Sequence, residues 1–114
     1  MLYINTYLDK LGTLVRGEAD VSVAYELTDE EKIFKMFKRD CEEVIKLYKQ
    51  GKAEYDEAKK NFSLLRFYVV SQLALHFNKV KEMAKAKGVE INKELTEDLI
   101  NRISLQIDKM EKML

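Results

Sequence analysis

Proline is absent from the 114 residues, tryptophan is absent, and glycine occurs only four times. A chain so poor in helix breakers favours long uninterrupted helices, and all-α is the expected class. One cysteine, Cys41, excludes an internal disulfide. Its place among the apolar positions of a helix marks it as a small buried hydrophobe in an intracellular, cytoplasmic protein. One histidine, His76, leaves too few nitrogen and sulfur ligands for zinc. A di-iron bundle would need Glu-x-x-His, but the residue three before His76 is Leu73, so that reading fails. Net charge is missing too: Lys plus Arg equals Asp plus Glu at 20 each. The whole molecule therefore exerts no general pull on nucleic acid or an anionic membrane, and any such contact must come from a local patch.

The N-terminal MLYINTYLDK has neither the basic start nor the apolar run of a signal peptide. The most apolar stretch is interrupted by Arg66, Ser71, Gln72 and His76, which makes it a poor membrane span and the protein a soluble one. No G-x-G-x-x-G, Walker-type G-K-[ST], G-x-S-x-G or H-E-x-x-H motif occurs. The acid pairs Glu42 with Glu43, Asp56 with Glu57 and Glu97 with Asp98 are sequence neighbours that point in different directions on a helix, as a solvated face does. The expectation is a non-enzyme with no metal, no cofactor and no small-molecule substrate. Its lysine- and glutamate-rich surface would suit a thermophile.

What is present is helical pattern. Residues 62–86 hold Phe62, Leu64, Leu65, Phe67, Tyr68, Val69, Val70, Leu73, Leu75 and Phe77 with almost no polar face, then thin to Val80, Met83 and Ala84 among lysines. A helix apolar all round is expected to be buried on several sides, so this one is read as the centre of a bundle of four or five helices in one domain spanning residues 1–114. Before it, residues 2–15 carry the ladders Tyr3, Tyr7, Leu11, Leu14 and Ile4, Leu8, Leu11, Val15, with Gly17 as the C-terminal closure. Residues 18–27 alternate at Val21, Val23, Tyr25 and Leu27, the spacing of an extended segment. Thr28 followed by Asp29, Glu30 and Glu31 reads as an N-cap and capping box for a helix that stops at Gly51. A charged helix from Lys52 leads into the central stretch, with a break near Asn61 allowed but not required. Gly88 closes the central helix, and Asn92 or Thr96 caps a last one with the ladder Leu95, Leu99, Ile103, Ile107, Met110, Leu114. That helix is still amphipathic at its final residue, so either it docks there or a further segment follows.

Four features bear on function. Arg66 is either a structural anchor for a carboxylate on a neighbouring helix or a side chain that snorkels to the surface. His76 is either a core residue or a proton switch. The rows Lys32, Lys35, Lys38, Arg39 and Lys79, Lys81, Lys85, Lys87 are either phosphate-binding patches or ordinary solvated faces. Tyr3, Tyr7, Tyr25, Phe34, Tyr48 and Tyr55 exceed what a small core buries easily, so they are the candidate protein interface.

The run LLRFYVVSQLALHFNKVKEMA has an Arg followed by an aromatic, about ten mostly apolar residues, then a Lys and a second basic end. It resembles the central helix of the helical domain in archaeal-type GINS subunits of the DNA replication machinery. The charged AEYDEAKKNFS before it and the LTEDL that opens a final amphipathic helix fit the same order, so the resemblance covers about residues 42–114. Residues before Thr28 match nothing in that family, and its small β domain is missing. The resemblance implies a non-catalytic scaffold that assembles with homologous subunits into a tetramer and bridges the replicative helicase to its partners. It would make Arg66 an anchor of the central helix and divide Phe67, Tyr68, Val70, Leu73 and Phe77 between core and subunit interface. Two alternatives stand beside it. One is a nucleic-acid-associated helical module, such as a CRISPR effector small subunit or a viral DNA-binding protein, using the lysine rows. The other is a homodimeric helical protein with an unrelated partner.

Overall fold

The computed structural model describes residues 2–114. Among the described residues the chain is all-helical, with six helices and no strand: α1 Tyr3–Val15, α2 Val21–Leu27, α3 Glu30–Lys49, α4 Tyr55–Ser71, α5 Leu73–Ala86 and α6 Glu97–Glu111. The body measures 48 × 28 × 19 Å. The longest helix, α3, joins two groups: α4 and α6 pack on it on one side, while α1 and α2 pack on it and on α5.

Local chemistry explains most boundaries. At the end of α3, Gly51 takes φ 71°. Its N–H then donates to the Tyr48 carbonyl at 3.1 Å and the Lys52 N–H to the Leu47 carbonyl at 2.9 Å. This closure gives partners to the last carbonyls of the helix, and only glycine reaches a positive φ without steric cost. Gly17 and Gly88 end α1 and α5 in the same way. Thr96 caps α6, accepting the Leu99 N–H at 3.1 Å.

Several expectations are corrected. Residues 21–27 are not extended but form α2, opened by Asp20, whose carboxylate accepts the Ser22 N–H at 2.6 Å. A lone strand would leave its backbone groups without partners, whereas a helix satisfies them internally. The helical register also buries Ala24 and Leu27 together and leaves Tyr25 in solvent. The cap of α3 is Asp29, which accepts the Lys32 N–H at 3.1 Å. Thr28 instead turns its hydroxyl back onto the Ala24 carbonyl at 2.9 Å, closing α2.

The stretch 62–86 is two helices rather than one, because the backbone departs from the ladder at Gln72, with φ −119° and ψ −33°. That break, with the separate α2, raises the helix count to six. It turns α5 off the α3/α6 surface and drives Phe77, Val80 and Ala84 into the core shared with α1 and α2. Tyr68 and His76 face each other across the break, Oη to Nδ1 at 2.7 Å. The apolar stretch is covered on several sides, by α3, α5 and α6 around α4, and the outer face of α4 is left open.

The core runs the length of the molecule. Phe37, Phe62 and Phe77 are fully buried, and the Phe37 ring lies 6.0 Å from that of Tyr68. Cys41 is buried, and loss of water pushes its thiol up to about 12. Tyr7 belongs to this core and not to an interface: its hydroxyl donates to the Leu27 carbonyl at 2.9 Å, tying α1 to the end of α2.

Candidate functional site

The six aromatic side chains singled out from the sequence do not form one surface. Tyr3, Tyr25 and Tyr55 are exposed, Phe34 and Tyr48 are half-buried, and Tyr7 is buried. Phe34 is covered by the Arg102 guanidinium, 4.6 Å from its ring centre, and Tyr48 meets Tyr55 edge-on at 6.1 Å. Phe34, Tyr48 and Tyr55 are thus accounted for by neighbours on their own chain, and Tyr25 stands exposed on α2.

A row of exposed apolar side chains lies instead on the open face of α4. Leu64, Phe67 and Val70 succeed one another at steps of three and are 53%, 58% and 72% exposed, with Leu75 of α5 at 63% and Leu105 of α6 at 68%. Steps of three keep side chains on one stripe of a helix. Arg66 fixes how α6 borders that stripe: its Nη2 donates to Asp108 Oδ1 at 2.7 Å and to Glu111 Oε1 at 3.0 Å. These bonds set α4 and α6 antiparallel along this edge, with Arg66 and Asp108 bordering the open face of α4. Lys59 adds a second cation, 3.3 Å from Glu111 Oε2. These hydrogen bonds to Asp108 and Glu111 raise the Arg66 pKa further. Burial pushes Glu111 up, but the Arg66 and Lys59 contacts outweigh it and hold the carboxyl below its usual range.

The second feature is a groove of about 360 Å³ between α1, α2 and α3. Tyr7, Leu27, Ile33 and Met36 supply its apolar part, and Lys10, Lys32, Lys35 and Arg39 its cations. Lys10 is matched by Glu26 at 2.5 Å. Among the described residues, Lys32, Lys35 and Arg39 have no carboxylate within ion-pair distance. Arg39 instead lies over the Tyr3 ring, 5.8 Å from its centre. Two sequence candidates that belonged to different readings, the tyrosines and the first basic row, are thus brought to one place. Lys38 faces away from it.

The second basic row does not gather. Lys79 pairs with Glu82 at 3.9 Å, Lys81 with Glu94 at 3.1 Å, and Lys87 donates to the Ala19 carbonyl. Only Lys85 is left without such a contact among the described residues. His76 is half-buried against Tyr68, and loss of water lowers its pKa, so the neutral imidazole prevails near neutral pH. No helix among the described residues is long and apolar enough to cross a membrane.

Sequence reasoning missed the α4 strip as a unit because Leu64, Phe67 and Val70 sit in the same apolar run as the buried Leu65, Tyr68 and Val69. Spacing alone does not separate them, because the buried Phe62, Leu65 and Tyr68 also stand at steps of three. Comparison with known proteins places the whole chain in one context. The AF0941-like family model matches residues 1–113. A curated relative from Archaeoglobus fulgidus, described as an uncharacterized protein, is 53% identical over 112 residues, covering 98% of each chain. A solved structure, the predicted coding region AF0941 from Archaeoglobus fulgidus, superposes with a TM-score of 0.85 at 53% identity over 98% of this chain and 97% of the other. These matches overturn the resemblance to GINS subunits. They take in the residues before Thr28 that the resemblance left out, and the helix on which it rested is broken at Gln72. The chain belongs to the AF0941-like family.

Proposed function

We propose that this protein is a non-catalytic, cytoplasmic interaction module that associates with a second copy of itself through the open face of α4. One observation carries the reading: Leu64, Phe67 and Val70 stand exposed along the open face of α4, with Leu75 and Leu105 exposed on the flanking helices, in a chain whose overall charged fraction is 35%. Apolar surface gathered on one face of a soluble domain is the usual mark of a protein contact. Its spacing suits a two-fold pairing. With an axis through Phe67, antiparallel packing of two α4 helices sets Leu64 of one copy against Val70 of the other, the self-matching that a two-fold interface demands. Phe67 then sits at the centre, where an aromatic anchor contributes most. The free, buried Cys41 supports a reducing compartment.

Light scattering on the wild type, Phe67→Glu and Val70→Glu at low and high salt tests this. The wild type is expected above the 13.4 kDa of a single chain and insensitive to salt, with both variants at the single-chain mass and unchanged helicity. A wild type that stays at single-chain mass throughout, or variants that associate as it does, would overturn the reading.

A further inference from the structure

We propose that the groove between α1, α2 and α3 binds a small organic phosphate, a di- or triphosphate carried on a flat apolar body as in a nucleoside polyphosphate. The site lies away from the α4 face and stands or falls independently of it.

Charge is the first argument. Lys32, Lys35 and Arg39 stand at i, i+3 and i+7 along α3, a span of about 10 Å. A protein of zero net charge concentrates three unmatched cations along one edge of a groove, while Lys10 on the opposite wall is neutralised by Glu26. Cations held side by side repel, and a bound anion removes that repulsion. A chain of two or three phosphates has the length to reach all three. Arg39, held over Tyr3, offers the fork of donors that engages phosphate oxygens two at a time.

Shape and polarity are the second. Behind the cations lies an apolar floor of Tyr7, Leu27, Ile33 and Met36, whose one phenol hydroxyl is already committed to the Leu27 carbonyl. Such a floor accepts a planar hydrophobic group and offers a bare phosphate nothing. About 360 Å³ lies within the range of small-ligand sites. A nucleic-acid backbone would need the cations to continue beyond the groove, but in the second basic row Lys79, Lys81 and Lys87 are engaged with Glu82, Glu94 and the Ala19 carbonyl, which leaves Lys85 as its one unengaged cation among the described residues.

The test is titration of the full chain with ATP, inorganic triphosphate and adenosine, followed by calorimetry and by amide NMR shifts, with a single-stranded RNA as a further ligand. ATP should bind more tightly than triphosphate or adenosine and shift amides around the groove. Lys35→Gln and Arg39→Gln should each weaken it about tenfold, the loss of one charge-assisted contact. Lys38→Gln, an equal loss of charge on the same helix but outside the groove, should leave affinity unchanged. All three side chains are exposed, so circular dichroism is expected to show intact helices. No binding of ATP at millimolar concentration overturns the proposal. So does equal weakening by Lys38→Gln, or triphosphate or adenosine binding as tightly as ATP. RNA binding to these lysines without ATP binding overturns it in favour of a nucleic-acid surface.

Discussion

The carboxylate of Asp40, in the middle of α3, accepts the backbone N–H of Ile4 at 3.0 Å across 36 residues of sequence. It also accepts the N–H of Tyr3, so a buried side chain of one helix supplies the N-terminal cap of another. Leu2, at the position where a cap would normally come from the chain itself, makes no side-chain hydrogen bond there. Loss of water outweighs both of these bonds and pushes Asp40 up from 3.8 to about 6.

Asp40 therefore destabilises the fold as pH rises. The folded chain keeps this proton to about pH 6, while an unfolded aspartic acid gives it up near 3.8. The group's contribution is full below about pH 4 and is lost by about pH 6, roughly 2–3 kcal/mol in all. Urea unfolding of the wild type and Asp40→Asn across this range isolates it, because other carboxylates cancel in the difference. The wild type should lose stability relative to the variant as pH rises. A constant difference would contradict the assignment.

Phe67 and Tyr68 are neighbours with opposite fates. Tyr68→Ala removes a core ring packed on Phe37 and the contact with His76, and should cost about 3 kcal/mol or more in denaturant unfolding. Phe67→Ala, measured at a concentration where the chain is monomeric, should change stability by no more than about 0.5 kcal/mol.

Arg66→Ala removes the cation shared by Asp108 and Glu111 and leaves Lys59 as the remaining partner of Glu111 alone. Since the Arg66 side chain is about a third exposed, the loss should be modest, about 1 kcal/mol, and should shrink in molar salt. The sign with pH is opposite to that of Asp40. Glu111 is held below its usual range, so its stabilisation is present near neutrality and fades as pH falls. Unfolding midpoints at two salt concentrations and two acidities check both statements.

The cap of α3 discriminates between two readings of the same four residues. Asp29→Ala should cost about 1 kcal/mol because the Lys32 N–H loses its acceptor, and Asp29→Asn should restore most of it. Thr28→Val should leave that N-terminus intact and act instead through the lost bond to the Ala24 carbonyl. Thermal unfolding of the three variants, with helicity by circular dichroism, checks the assignment.

The all-helical class was legible because it depends on local chemistry: glycine closures at 17, 51 and 88, a threonine cap at 96, and ladders at helical spacing. What was not legible depends on partners distant in sequence. Val21, Val23, Tyr25 and Leu27 alternate as a strand would, and nothing local says that Ala24 is the side chain the core takes. Gln72 carries no breaker signature, and the turn of α5 toward α1 and α2 is a consequence of tertiary packing. Tyr7 reads as surplus aromatic until Leu27 brings its carbonyl to the hydroxyl. The α4 strip was hidden because interface and core draw on the same residue types, and only the number of helices packed around α4 tells them apart. The basic groove needed α1 folded back onto α3 before Tyr3 could meet Arg39.

Hydroxyl-radical footprinting of the wild type over a range of protein concentrations tests the proposed association most directly, because it reads the accessibility of individual aromatic side chains. Phe67 should become protected as concentration rises, in step with the rise in mass, while Tyr25 and Tyr55, also exposed, stay reactive. Phe67 remaining fully reactive in an associated sample would contradict the α4 face as the site of contact.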